Sequence, residues 1–172
     1  MKVTALDLLH CDAGWRNYHF VKVTTDDGRV GWGESCPGPN VESVNEAVRS
    51  TVPLFTGRDP WERDAIAADF YGTAHWYHRE MTGHFAFAGL DMALNDLCGK
   101  EAGQPLYNLY GGPQRPNVDY FCYLAYGSVD EVCAQATEGV DAGYSVFYIK
   151  VGIDFAHEID VIASLRDAIG PD

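Results

Sequence analysis

The run Ala88-Gly89-Leu90-Asp91-Met92-Ala93-Leu94-Asn95-Asp96-Leu97-Cys98-Gly99-Lys100 decides how the longer, N-terminal part of this chain is read. Leu90, Leu94, Leu97 and Cys98, with Phe87 before them, recur at helical spacing and form an apolar stripe, so a helix is predicted from about His84 to Glu101. Gly103 and Pro105 stop it, the first by accepting a left-handed backbone and the second by lacking an N–H for the ladder. Asp91 lies on the polar side of this helix and Glu34 at a strand end, and both are read as structural carboxylates.

Upstream of that helix the pattern is antiparallel sheet. Residues 2–9 alternate through Val3, Leu6 and Leu8, residues 18–25 are β-branched and aromatic, and residues 30–34 follow the hairpin signal Asp26-Asp27-Gly28. Cys11 to Asn17 is too polar and Gly-interrupted for a strand and is expected to be an exposed loop, and Cys36-Pro37-Gly38-Pro39 forces another. Asn40 then caps a helix through Val41, Val44, Val48, Val52 and Phe55, ended by Gly57, with Pro53 expected to terminate or kink its last turn. Asp59-Pro60-Trp61-Glu62 reads as N-cap, Pro at the first position and an acidic third, opening a second helix toward Tyr71.

Downstream, the rhythm changes at Gly111-Gly112-Pro113, which places a domain boundary between 1–113 and 114–172. Residues 118–126 are nearly all apolar or aromatic, as expected of a strand covered on both faces. Ser128-Val129-Asp130-Glu131 is a capping box for a helix through Val132, Ala136 and Val140, closed by Gly143. Val146 to Val151 reads as a second buried strand, and Ile159, Ile162 and Ile169 stripe a final helix. Strand, helix, strand, helix requires a parallel sheet, and two such strands are too few to bury themselves, so a further strand is expected beyond Asp172.

Composition narrows the function classes. The 172 residues carry 25 acidic and 12 basic side chains, a net charge of −13, which repels phosphate backbones and anionic lipid and disfavours nucleic-acid and membrane partners. With 47% hydrophobic residues the chain is expected to fold, and with no long apolar run or leader pattern it is expected to be cytoplasmic. Its five cysteines are scattered without a C-x-x-C pair, so free thiols are expected. His75 and His78, at i and i+3, make a weak metal signal, set against a Tyr- and Trp-rich surface loop, and no metal ligand is assigned.

The stretch from Ala88 to Lys100, with its continuation Gln104-Pro105-Leu106-Tyr107-Asn108-Leu109-Tyr110-Gly111-Gly112, resembles the last capping-domain helix and linker of the enolase superfamily, in its mandelate racemase and muconate lactonizing enzyme branch. Phe20-Val21-Lys22-Val23, Thr25-Asp26-Asp27-Gly28, Gly31-Trp32-Gly33-Glu34, Gly57-Arg58-Asp59-Pro60 and Tyr148-Ile149-Lys150-Val151-Gly152 extend the resemblance along essentially the whole chain. It implies an α+β capping domain, a three-stranded antiparallel sheet plus helices, followed by the first two units of a (β/α) TIM-type barrel.

The resemblance also implies a chemistry: abstraction of the proton α to a carboxylate, with Mg²⁺ as cofactor and Lys or His as base. The family's second barrel strand commonly ends in Lys-x-Lys. The second position matches Lys150, the general base so implied, and the first is Tyr148, an auxiliary that could hydrogen-bond a substrate carboxylate. A base lysine must fall from about 10.4 toward roughly 7–8, and replacing the first Lys by Tyr148 removes one charge that would help. Trp15, Arg16 and Asn17, on a capping loop, are the implied substrate contacts, with Arg16 able to grip a carboxylate. The bland alternatives are a strand-end Lys that snorkels to solvent and an ordinary exposed loop.

The family's metal ligands come from later barrel strands, so no Mg²⁺ ligand carries over and these residues alone are expected to be inactive. The expected whole is a Mg²⁺-dependent acid-sugar dehydratase or racemase-like enzyme acting on a small carboxylate. A homo-oligomer is expected, or a missing C-terminal barrel portion that a continued chain or a partner supplies. The competing class is a non-catalytic interaction or oligomerisation module derived from the capping domain.

Overall fold

Three strands alternate inward and outward and pair in chain order. In the computed structural model, which describes residues 1–14, 16–35, 41–73 and 79–170, β1 (Val3–Asp12), β2 (Asn17–Thr25) and β3 (Val30–Ser35) form an antiparallel sheet of order β1-β2-β3. Inside β2 and β3 the alternation is regular, with Val21, Val23, Gly31 and Gly33 buried. In β1 a bulge between Val3 and Ala5 shifts the phase so that Val3, Leu6 and Leu8 all turn inward. The turn after β2 needs Gly28 at φ +82°, and Asp27 supports it by accepting from the Thr25 hydroxyl at 2.6 Å and pairing with Arg29.

Helix α1 (Val41–Phe55) runs through Pro53 and does not stop or break there. In the last turn Pro53 removes one ladder bond, and Thr56 N still donates to Val52 O at 3.0 Å. Asp59 caps a 3₁₀ turn, Pro60–Glu62, before α2 (Arg63–Thr73) begins. The Asn40 cap, the Pro37 and Pro39 loop and the His75 and His78 pair lie outside the described residues.

Helix α3 (Met81–Ala102) is longer than the apolar stripe suggested and buried on two sides. Leu90, Leu94 and Leu97 join Val44, Val48, Phe55, Ile66 and Phe70 in the core. The sheet-facing side is small: a Cβ added at Gly31 or Gly33 would fall onto the carbonyl oxygen of Ala93 or Gly89, and one at Gly89 would meet Val21 Cγ2 at 2.8 Å. Glycine is therefore required on both surfaces for the backbones to touch. Asp96 and Lys100 of α3 also cover the edge of β3, Asp96 accepting from Trp32 N at 2.9 Å and Lys100 donating to Val30 O at 2.7 Å. That leaves fewer open groups on an edge strand. Gly103, at φ +61°, ends α3, and a short helix α4 (Leu106–Leu109) follows. Asn95 ties this region, accepting from both Arg63 and Tyr110.

The chain divides into two compact units, Met1–Pro113 and Gln114–Asp172. In the second, β4 (Cys122–Leu124) and β5 (Phe147–Ile149) pair in parallel, with α5 (Val129–Asp141) between them and α6 (Phe155–Ile169) after. The Ser128–Glu131 capping box forms as the sequence indicates. The strands are shorter than expected and covered on one face only within this unit. Leu124 packs with Val132, Ala136, Val161 and Leu165, while Tyr123 and Tyr148 are exposed.

Both helices also turn differently from the large-residue pattern. In α5 it is Gly139 that is buried, against Phe147 and Cys122, and Val140 is exposed. In α6 the buried residues are Glu158, Val161 and Leu165, and Ile159 and Ile162 are exposed. Among the described residues no helix is long and apolar enough to cross a membrane.

Candidate active site

Lys150 directly follows β5. The two-residue period of a strand, carried one position further, puts it on the face of Tyr148. It is exposed, and Tyr148, 42% exposed, faces Tyr123 across the parallel ladder. The Tyr148 ring lies 5.1 Å from that of Phe121 and 5.8 Å from that of Tyr123, so an aromatic surface runs beside the strand that delivers Lys150.

Beyond Lys150 the chain turns at Gly152, φ +116°, and enters α6 with Asp154 as N-cap, its Oδ1 accepting from His157 N at 3.2 Å. Glu158, one turn into the helix and 6% exposed, reaches back into this loop. Its carboxylate accepts from Gly152 N at 2.8 Å, Ile153 N at 2.7 Å and Asp154 N at 3.1 Å. Donation from Ile153 and Gly152 holds its carboxyl below the usual carboxylate range, against the opposing effect of burial. His157 Nε2 donates to Gly127 O at 2.9 Å, and its ring meets Tyr126 edge-on at 5.6 Å. The first turn of α6 thus fastens the loops at the carboxyl ends of both strands. Tyr126, Gly127, Lys150, His157 and Glu158 border a depression with about 10 Å³ of room, enough for one water at most.

The residues singled out on the capping loop fall less uniformly. The loop shrinks to Ala13–Arg16, because β1 extends to Asp12 and β2 starts at Asn17, paired with Asp12. Asn17 is therefore an exposed strand residue and not part of the loop. Arg16 is half-buried, its guanidinium 5.0 Å over the Tyr18 ring and its carbonyl accepting from Ala13 N at 3.0 Å. Trp15 lies outside the described residues. Arg16 and Asn17 belong to the first unit, Tyr148 and Lys150 to the second.

Asp91 on α3 has its carboxyl pushed up by burial, partly offset by the Arg63 charge. Glu34 lies on β3 opposite Phe20. Near the same end of the sheet, the ring nitrogens Nδ1 of His10 and His19 meet across β1 and β2. Among the described residues, no group of three or more His, Cys, Asp or Glu comes together in a way that could hold a metal ion. Glu158 and His157 were not singled out from sequence. The available signal was a glycine turn followed by an acid four residues past a capping Asp.

Comparison with known proteins gives this geometry a family. The model of the mandelate racemase / muconate lactonizing enzyme N-terminal domain matches residues 12–111, more than half of the chain. D-gluconate dehydratase of Thermoproteus tenax is 36% identical over 174 residues, covering 94% of this chain and 35% of its own length. The solved 3,6-anhydro-D-galactonate cycloisomerase of Zobellia galactanivorans is 26% identical with a TM-score of 0.93, covering 100% of this chain and 49% of that one. A mandelate racemase/muconate lactonizing protein of Paracoccus denitrificans, solved with magnesium, is 28% identical with a TM-score of 0.90 over 99% of this chain and 49% of that one. The chain spans about half the length of these solved relatives, and its fold is the α+β capping domain followed by the opening units of the barrel. It belongs to the mandelate racemase and muconate lactonizing enzyme branch of the enolase superfamily.

Proposed function

We propose that this chain forms the N-terminal part of a Mg²⁺-dependent enzyme that removes the proton α to the carboxylate of an acid sugar, leading to dehydration or a racemase-like outcome. Lys150 is the base in this reading. The observation that carries it is its position at the carboxyl end of the second parallel strand, the end where barrel enzymes place their chemistry. The dehydratase and cycloisomerase relatives, named for a sugar acid and for an anhydro sugar acid, support the substrate class.

Each residue has a role limited to what it can do chemically. Lys150, once neutral, takes the α proton on Nζ. Tyr148, on the same face, donates a hydrogen bond to a substrate oxygen. Arg16 offers a charge-assisted contact to a carboxylate, and Asn17 and Trp15 complete the proposed substrate contacts. Magnesium enters as the cofactor of the complete enzyme. The described residues do not fit it, since they converge no set of three ligands. For the same reason the 172 residues alone are proposed to be inactive, because the further charge developing on the substrate carboxylate would lack the counter-charge that a metal ion supplies.

The exposed rings of Phe121, Tyr123 and Tyr148 favour a second reading, an interaction or oligomerisation module without turnover. Loss of the α hydrogen separates the two, whether by exchange with solvent or by dehydration to a 2-keto-3-deoxy acid. The complete polypeptide, incubated in D₂O with Mg²⁺ and a panel of hexonates including D-gluconate, is expected to remove the α hydrogen of a substrate, read by proton NMR, and its Lys150→Met variant is expected to lose that removal by about a hundredfold or more. Parental loss of the α hydrogen in Lys150→Met would remove Lys150 from the role of base. Retention of the α hydrogen on every hexonate would favour the module.

A further inference from the structure

Three consecutive backbone amides that converge on one point form an anion-binding concavity. At the carboxyl end of β5 the amides of Gly152, Ile153 and Asp154 converge in this way, and the anion they hold is the chain's own Glu158. A carboxylate that buried could have been met by a charged side chain. Its hydrogen-bond donors among the described residues are instead backbone groups of the loop immediately after Lys150.

We propose that Glu158 is a positioning residue for Lys150: by holding the Gly152–Asp154 amides it fixes the path of the chain as it leaves β5, and with it the direction from which Lys150 reaches the substrate. The proposal rests on the reading of Lys150 as the base. The lysine side chain is long and exposed, so the backbone must supply the order that the side chain lacks. Gly152, at φ +116°, presents its N–H to Glu158 in a conformation that a residue with a Cβ rarely adopts. On the other side of the same turn, His157 anchors to Gly127 O and so ties the loop after β4 to the same helix end. Glu158 also fills the amide concavity, so those donors are already engaged and do not bind a substrate phosphate or carboxylate. Their function is to hold the strand exit.

The test compares Glu158→Ala and Glu158→Gln. In this chain, backbone amide exchange and ¹⁵N relaxation are read without substrate. In Glu158→Ala the exchange of Gly152, Ile153 and Asp154 is expected to quicken at least about tenfold, and the Lys150 amide order parameter to fall from about 0.85 toward about 0.6, with Tyr123 and Leu124 unchanged. In the complete enzyme turning over D-gluconate, kcat is expected to fall by up to about a hundredfold while KM moves little, since a misplaced base costs the chemical step. Glu158→Gln, which keeps the shape and one accepting oxygen, is expected to restore most of both effects, and it is the variant to read should Glu158→Ala fail to fold.

An unchanged Lys150 order parameter, or a parental kcat in a folded Glu158→Ala enzyme, would overturn the proposal. Lys150→Met is the control. If it keeps parental turnover, the reading of the base has failed. If it is dead while folded Glu158→Ala keeps the parental kcat, the positioning role alone has failed.

Discussion

Gly33 of β3 lies directly against the carbonyl of Gly89 in α3, with no room for a methyl group between them. A glycine inside a helix normally costs about 1 kcal/mol relative to alanine, so Gly→Ala there is ordinarily stabilising. At this contact the sign reverses. The added Cβ of Gly89→Ala would meet Val21 Cγ2 at 2.8 Å and Ser35 N at 3.1 Å, and the backbone must shift. Thermal or urea unfolding of Gly89→Ala is expected to give a net loss of about 1–3 kcal/mol. Gly72→Ala in α2, where a Cβ meets nothing within 4 Å, is the control and is expected to be neutral or stabilising. Equal stability of the two variants would show that the sheet and helix are not in contact through glycine.

His19 is expected to make the first unit sensitive to acid. Burial lowers His19 from 6.5, with further lowering by His10 and Arg16 and an opposing pull from Glu34 and Glu42. Because the unfolded chain then binds the proton more readily, stability is full above pH 6.5 and declines as the pH falls below that value. Unfolding of the chain measured from pH 8 to pH 5 is expected to show this decline, and His19→Asn to flatten it. An unchanged slope in the variant would assign the effect elsewhere.

The thiols are expected to react in an order set by their surroundings. Burial pushes the Cys98 thiol up to about 11, whereas Cys11 is exposed. At pH 8 the Cys98 thiolate is then roughly a thousandth of the population. Peptide mapping after brief treatment with an aromatic disulfide at pH 8 is expected to find Cys11 modified and Cys98 intact until the chain is unfolded. Early labelling of Cys98 would show that α3 opens locally.

Much of the fold is legible because its local signals are strong. The Asp26-Asp27-Gly28 turn, the Ser128–Glu131 box and the Gly103 stop are each written in a few adjacent residues, and each forms. What escaped the reading depends on partners far along the chain. The helix faces were judged by large apolar residues, so the glycine and alanine side of α3 and the buried Gly139 in α5 left no mark, although close backbone approach is what glycine permits. Ile159 and Ile162 drew attention away from Glu158, since nothing in the sequence says that a glutamate will be buried by bonding the loop before its own helix. The candidate site was half legible for the same reason: Lys150 could be placed by strand period, while the group that holds its loop is seen only in three dimensions. Asn17 was misplaced because the polar run that suggested a loop is still paired, with Asp12, at the hairpin's end.

Two carboxylate–amide contacts differ in how far along the chain they reach. Asp96 finds Trp32 across 64 positions, so the sheet and helix of the first unit meet only after a long closure. Glu158 finds Gly152 across 6. Closure entropy grows with the logarithm of that span, and folding slows as contacts become less local. The loop behind Lys150 is therefore an inexpensive piece of structure to form, one that needs no distant segment to take shape.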